Sequence, residues 1–142
     1  MRAFERATAK TVVRRGAGRL VTTPRVVPGR PLDVILSKQR HPQTARHVLD
    51  AQRRGQPSIL TLERSSATVR RRQALRDVER RNWPHLRGQD RDEYPMAMTR
   101  EGGANADVRF ISAGDNRGAG RTIARQLHGR PDGTRFRVHV ID

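Results

Sequence analysis

The fold of this chain is decided by residues 90–128, which read DRDEYPMAMTREGGANADVRFISAGDNRGAGRTIARQLH. Two extended segments are predicted there, at about 92–98 and 108–111, and a glycine-rich stretch between them turns the chain. A helix is predicted over about 115–127, because a polar capping residue precedes apolar residues at helical spacing. The order strand, turn, strand, helix predicts a ββα unit.

The rest of the chain predicts further helices and strands around that unit. In chain order they are a short apolar run at 32–36, a helix at 42–54, a strand at 57–62, a helix at 66–81 and a strand at 134–141. Residues 1–30 are basic and punctuated by glycine and proline, which is typical of an extension or linker with at most one short strand near 20–27. We therefore predict an α+β domain over 31–142, in which flanking helices and a short antiparallel sheet surround a core at about 90–128.

The charge of the chain indicates a polyanionic partner. Thirty basic residues oppose 14 acidic ones, which gives a formal net charge of +16, and 28 of the 30 are arginine. Arginine binds phosphate in a bidentate manner, and a field of this sign attracts nucleic acid. Codon usage in a GC-rich genome is the alternative explanation for the arginine content.

Composition excludes several other classes of function. The chain has no cysteine, which excludes a disulfide framework, a zinc–thiolate site and a thiol nucleophile. No apolar run approaches the roughly 18 residues of a membrane span, and the N-terminus lacks the apolar stretch of a secretory signal. We therefore expect a chain that is either intracellular or a fragment whose export signal lies elsewhere.

The acidic cluster in the first predicted strand indicates a metal-dependent site. The ββα unit is expected to bring Asp92 and Glu93 close to Asn116, at the start of the helix. Their oxygens are hard ligands, suited to Mg²⁺, Mn²⁺ or Ca²⁺. Such an ion stabilises the leaving oxygen of a phosphodiester, and a positioned base deprotonates the attacking water. Arg91 and Arg117 are placed to clamp the phosphate.

A structural interpretation of the same motifs stays open. In that interpretation the acidic cluster is a polar turn balanced by arginine, and Asp115 or Asn116 merely caps the helix. Gly118 and Gly120 argue against it, because glycine inside a helix costs roughly 0.5–1 kcal/mol relative to alanine, and close approach of a ligand is a common reason for that cost.

The histidines are left out of the predicted site, whereas several arginines are predicted to contact phosphate. No pair of histidines has a helical metal-ligand spacing, so surface or boundary positions are predicted for all five: His41, His47, His85, His128 and His139. His85 and His128 lie nearest the motifs and are still left out of the predicted site. The arginines expected to contact phosphate are Arg70, Arg71, Arg72, Arg91, Arg117 and Arg121.

Four segments of the C-terminal half, DRDEYPMAM, EGGANADVRFIS, DNRGAG and QLHGRPDGTR, carry a resemblance to a known family. They resemble the NucA/NucB family of bacterial deoxyribonucleases, and a weaker similarity extends over 57–141. That family looks like a variant of the ββα-metal, or His-Me finger, endonucleases. The resemblance implies Asp92 as general base, Glu93 as its partner or a ligand through water, and Asn116 as direct ligand of one divalent ion. It also implies DNA as the substrate, cut without strong sequence preference.

One departure from the family pattern points to a biological context. Secreted members carry cysteines near the positions of Leu60 and Thr99, and both cysteines are absent here. Their joint absence fits a reducing compartment. Together with the basic N-terminal segment, it favours a polymorphic-toxin domain that is made in the bacterial cytoplasm, is exported as part of a larger protein and degrades DNA in the cytoplasm of a neighbouring cell. An acidic immunity protein is expected to block it. The domain is expected to be a monomer.

The sequence therefore predicts a non-specific DNA endonuclease that depends on one divalent ion, Mg²⁺ or Mn²⁺ above others. Two alternatives remain open. A non-enzymatic basic DNA-binding or packaging protein would explain the charge but would leave the acidic cluster without a purpose. An RNase would use the same site on a different substrate.

Overall fold

The computed structural model describes residues 29–80 and 86–142. Its elements in chain order are β1 (Leu32–Ser37), α1 (Pro42–Arg53), β2 (Ile59–Thr61), α2 (Ala67–Arg80), β3 (Gln89–Tyr94), β4 (Asp107–Ser112), α3 (Ala113–Gln126) and β5 (Arg135–Ile141). The α+β class and the ββα unit, formed by β3, β4 and α3, are confirmed. Residues 1–28 of the predicted extension, which include its short strand, lie outside the described residues. His85 lies outside them as well.

The strands form two sheets, of three and two strands. In the larger one, β5 is central and pairs with β1 in parallel and with β2 in antiparallel orientation. The larger sheet is therefore mixed, and the predicted short antiparallel sheet is the pair β3–β4. Parallel pairing requires a long crossover between the paired strands, and the whole length of the domain separates β1 from β5. The smaller sheet is the antiparallel pair β3–β4.

The hydrophobic core joins the larger sheet to helices α1 and α3. Buried side chains alternate along β1 and β5 and recur at helical spacing on the two helices: Val34, Leu36, Ala45, Val48, Ala51, Ala119, Ile123, Leu127, Phe136 and Val138. The alternation predicted for the last strand is thus confirmed. Within the described residues, none of the helices has the length and apolarity needed to cross a membrane.

The boundaries of the ββα unit differ from the predicted ones. Strand β3 begins at Gln89 and ends at Tyr94, so the segment predicted to be extended up to residue 98 turns instead. Helix α3 begins at Ala113, directly after Ser112 as its N-terminal flanking residue. The predicted cap at Asp115 or Asn116 is therefore wrong, because both residues lie in the first turn of the helix.

Asp115 caps a different helix. Its carboxylate accepts hydrogen bonds from the backbone N–H groups of Gln43 and Thr44, at 2.9 and 3.0 Å, and from the Thr44 hydroxyl at 2.6 Å. These N–H groups belong to the first turn of α1, where the helix leaves donors without internal partners. Gln43 returns a bond, because its Oε1 accepts from the Ser112 N–H at 2.8 Å. The two contacts fix the N-terminus of α1 against that of α3.

Candidate active site

A cleft of about 550 Å³ opens between β3 and the three helices. It is lined by residues 90–94 and 96–98, by Thr44 and Val48 of α1, by Arg71 and Leu75 of α2, and by Asn116, Arg117, Gly120 and Ile123 of α3. The cleft therefore brings together six of the residues assigned to the site from the sequence: Arg71, Arg91, Asp92, Glu93, Asn116 and Arg117. Arg72 and Arg121 are exposed and do not line it.

Strand β3 presents its polar side chains on two opposite faces, because successive residues of a strand alternate. Asp90, Asp92 and Tyr94 contact α1 and α3, and we call them the bonded face. Arg91 and Glu93 form the open face, from which Glu93 reaches Arg71 of α2. The two adjacent acids of the sequence motif, Asp92 and Glu93, thus have different surroundings.

On the bonded face, Asp92 is held by a histidine. Its Oδ2 lies 2.6 Å from Nδ1 of His47, a fully buried residue of α1. The other ring nitrogen, Nε2, lies 3.0 Å from Oδ1 of Asp107 at the start of β4. Arg54 donates to the second oxygen of Asp107, from Nε at 3.0 Å and from Nη2 at 2.5 Å. Burial raises the pKa of Asp107, but the hydrogen bonds from Arg54 and His47 outweigh burial and lower it.

Asp90 contacts the residues of α3 that the sequence assigned to catalysis. Arg117 donates to both of its oxygens, at 2.9 and 3.0 Å, and the Asn116 side-chain amide donates to Oδ2 over a longer 3.4 Å. Asn116 is therefore bonded to Asp90, which the sequence did not include among the site residues. The carbonyl oxygen of the same side chain makes no hydrogen bond with the described residues, and Asn116 lines the cleft.

The open face contains buried polar atoms without partners. Glu93 is 8% exposed, and its Oε1 lies 3.3 Å from Nε of Arg71. Its Oε2, and Nε of Arg91, are buried and make no hydrogen bond with the described residues. Burial raises the pKa of Glu93 to about 6, against the lowering effect of Arg71 and with a small contribution from Asp92. An unpaired buried polar atom is costly, so a ligand for these two atoms is expected.

The structure corrects two predictions about basic residues. His47 was predicted to lie at the surface or boundary, but it is fully buried beside Asp92. The available indication was its place on the apolar stripe of α1, between the buried Thr44 and Val48. Arg70 was predicted to contact phosphate, but it is 8% exposed and its guanidinium donates to Ala97 O and to Glu63. Its donors are used inside the protein.

The two glycines of the DNRGAG motif serve different purposes. A Cβ on Gly118 would lie 2.7 Å from Cε1 of His41, so this glycine permits close contact with a side chain rather than with a ligand. A Cβ on Gly120 would meet nothing within 4 Å, and this residue lines the cleft. Only Gly120 remains in agreement with the predicted approach of a ligand. His128, the other histidine near the motifs, is exposed at the end of α3.

The oxygens in the cleft suit a hard divalent ion. Glu93 Oε2 is buried without a hydrogen bond among the described residues, and Asn116 turns its amide nitrogen towards Asp90. No group of three or more His, Cys, Asp or Glu in the described ranges is arranged to enclose a metal. Mg²⁺ is commonly held by one or two protein oxygens, with water and substrate phosphate completing the shell, and the residues present fit that pattern.

The fold and the cleft define a small α+β domain of the ββα nuclease type. Residues 44–139 match the family described as deoxyribonuclease NucA/NucB. The chain is also 47% identical over 96 residues to a DNA-entry nuclease of Bacillus subtilis (strain 168), a match that covers 68% of this chain and 62% of that relative. The chain therefore belongs to the NucA/NucB deoxyribonuclease family, as the sequence motifs indicated. It spans less than two thirds of the length of the relative.

Proposed function

We propose that this domain is a metal-dependent endonuclease that hydrolyses the phosphodiester bonds of DNA. The observation that carries the proposal is Oε2 of Glu93, which is buried without a hydrogen bond to any described residue, in a cleft that also contains Asp92 and Asn116. A buried carboxylate oxygen repels phosphate, so a basic protein that only binds DNA gains nothing from it. Membership of a deoxyribonuclease family and the name of the Bacillus relative support DNA as the substrate over RNA.

Asp92 is the proposed proton acceptor for the attacking water. His47 occupies its Oδ2, whereas Oδ1 makes no hydrogen bond with the described residues and belongs to a cleft-lining side chain. A general base must lie within hydrogen-bond reach of the proton that it removes, and a fixed carboxylate with one unbonded oxygen meets that requirement. Glu93 supports it by holding a water molecule or a metal-bound ligand at Oε2.

Arg91 and Arg71 are the proposed contacts to the scissile phosphate. The buried Nε of Arg91 has no partner among the described residues, and Arg71 extends from α2 into the same cleft. Arg117 uses two donors on Asp90, so it supports the site from α3 and has fewer donors left for the phosphate. Charge-assisted bonds from arginine to phosphate are short and directional.

Asn116 is the residue that would hold the divalent ion, Mg²⁺ or Mn²⁺, directly, and Asp92 and Glu93 are proposed to reach it through water. When bound, the ion supplies Lewis-acid stabilisation of the charge that develops on the phosphate and the leaving oxygen. The chain's own contribution is the arrangement of these oxygens. Asp90 orients the amide of Asn116, and β3 places the two acids at adjacent positions of one strand.

The biological role of the domain is a further part of the proposal. We propose cleavage without strong sequence preference, monomeric action, and a role as a toxin domain delivered to the cytoplasm of a target cell. An acidic immunity protein would complement the net charge of +16. Co-purification of such an inhibitor from a producer cell tests this context separately from the nuclease activity.

The test is an assay of purified protein on plasmid DNA and on RNA, with Mg²⁺, Mn²⁺ or EDTA. Cleavage of plasmid with metal and none with EDTA is expected. Asp92→Ala and Asn116→Ala should each lower kcat/KM by about 10²-fold or more. Asp33→Ala is the matched control, because Asp33 also pairs with an arginine but lies on β1, outside the cleft.

Three outcomes would contradict parts of this proposal. Plasmid that stays intact with every metal contradicts the enzymatic function. Faster cleavage of RNA than of DNA contradicts the substrate. Normal cleavage by both cleft variants contradicts the assignment of the site while leaving a nuclease in place.

A further inference from the structure

His47 is the centre of a chain of hydrogen-bonded polar side chains that leads from the cleft to the surface. The chain runs from Asp92 through His47 and Asp107 to Arg54, with nitrogen–oxygen distances of 2.6, 3.0 and 2.5 Å. Its inner end lines the cleft, and its outer end, the Arg54 side chain, is 51% exposed. The histidine belongs to α1, outside the ββα unit that carries the predicted site.

The chemistry of this chain restricts what His47 can do. A carboxylate accepts hydrogen bonds only, and a neutral imidazole has a single N–H. Both ring nitrogens of His47 face carboxylate oxygens, so the ring serves both contacts as a donor only when both nitrogens carry a proton. A ring bonded at both ends has no freedom to turn, and it fixes the carboxylate to which it donates.

We propose that His47 is a positioning residue, which fixes the Asp92 carboxylate through Nδ1 so that Oδ1 stays directed to the cleft, and which is itself fixed through Nε2 by Asp107. The proposal rests on the proposed nuclease function. Misplacement of a catalytic group by about 1 Å costs roughly 10²-fold in rate, so the loss of this restraint lowers kcat rather than substrate binding. A purely structural role, in which the ring only fills space between α1 and the β3–β4 sheet, predicts a different result.

Two substitutions of His47 separate these roles. His47→Asn places an amide nitrogen near the position of Nδ1 and keeps a donor for Asp92, but it shortens the side chain. His47→Gln is closer to histidine in volume and places its amide near the position of Nε2, so it keeps the contact with Asp107. Positioning predicts that kcat falls about 10²-fold in His47→Gln and about tenfold or less in His47→Asn, with KM within about twofold of wild type. Space filling predicts the reverse order, because asparagine leaves the larger cavity.

A second pair of variants avoids replacing a fully buried residue. Asp107 and Asp50 have similar side-chain exposure, 22% and 24%. Asp107 of β4 pairs with Arg54, the C-terminal cap of α1, and Asp50 of α1 pairs with Arg109 of β4. Asp107→Ala should lower kcat about tenfold with an unchanged KM, because His47 loses its support, and Asp50→Ala should stay within about twofold. Equal effects of the two variants would overturn the proposal, as would a loss confined to KM.

A direct measurement checks the restraint without catalysis. In metal-free protein labelled with ¹⁵N-histidine, NMR should show a slowly exchanging proton on Nδ1 of His47, the nitrogen that faces Asp92, and Asp107→Ala should make that proton exchange faster. Rapid exchange of that proton in wild type would overturn the proposal. Wild-type protein that cuts no DNA would overturn the proposed function together with this inference. Active wild type with His47→Gln at least as fast as His47→Asn would overturn this inference alone.

Discussion

The two faces of strand β3 are built in opposite ways. On the bonded face, Asp90 and Asp92 receive hydrogen bonds from α3 and α1, and the Tyr94 hydroxyl receives one from Gln52 and donates one to Pro57 O. On the open face, Glu93 and Arg91 keep buried polar atoms unpaired among the described residues. Hydrogen bonds with charged partners contribute to stability, whereas unpaired buried groups cost free energy. The comparison indicates that one face holds the strand in place and the other is kept for a ligand.

The largest effect on stability is expected from a residue that supports the bonded face through α1. Asp115→Ala removes three hydrogen bonds from the first turn of that helix and leaves two backbone donors without a carboxylate. We expect the free energy of unfolding to fall by about 2–3 kcal/mol in urea denaturation. Asp142→Ala is the control, since its exposed carboxylate pairs with Lys38 at the surface, and a loss below about 1 kcal/mol is expected. A neutral Asp115→Ala would show that the bonded face does not depend on this cap.

On the open face, we expect the free energy of unfolding to depend on pH. The pKa of Glu93 rises from its ordinary 4.5 to about 6 in the folded protein, so between these pH values the folded state binds more protons than the unfolded state. Stability therefore falls as pH rises through this window, by roughly 2 kcal/mol in total. Urea denaturation of metal-free protein at pH 4 to 8 measures this loss.

The matched variant for the open face is Glu93→Gln, which keeps the shape of the side chain and removes its charge. We expect it to lack the decline in stability between pH 4.5 and 6 and to lose nuclease activity. A Glu93→Gln protein with the same pH dependence of stability as wild type would show that another group causes the decline.

The smallest effect is expected at the surface of α2. Arg72 is exposed and does not line the cleft, so it can contribute only a long-range or flanking contact to DNA. Arg72→Gln should lower the slope of log K against log salt concentration by about one or less, without affecting kcat. Fluorescence anisotropy with labelled DNA measures the slope, and Arg135→Gln, an exposed position on β5, is the control. Identical slopes for Arg72→Gln and Arg135→Gln would show that this surface of α2 does not contact DNA.

Local sequence patterns predicted most elements of the fold. Proline at position 42 and glycine at position 55 bracket α1, with Gly55 at a φ of +98° that favours glycine. The alternation of Phe136 and Val138 with polar residues predicted β5 and its buried face. The limits of β3 were less accurate, because the residues after Tyr94 have strand-like composition but follow the turn that leads to Thr99.

Motif spacing predicted only part of the cleft, because some residues that support it come from distant parts of the chain. The spacing of two motifs was enough to place Asp92, Glu93 and Asn116 around one ββα unit. It could not place His47, which is 45 residues from Asp92 along the chain and comes from a helix outside the motifs. Asp115 shows the same limit, since a residue of the DNRGAG motif that was predicted to cap its own helix caps α1 instead.

The sequence by itself determined the family, the ββα unit and six of the polar residues that line the cleft, because these depend on short-range periodicity and on motif spacing. The tertiary structure alone decided which side of β3 each acid occupies and which partner it receives. Asp92 and Glu93 are neighbours in the chain, but the pleat of the strand directs one to a buried histidine and the other to an arginine of α2. The partners of an acid determine its pKa and its freedom to move, and those partners come from distant parts of the chain.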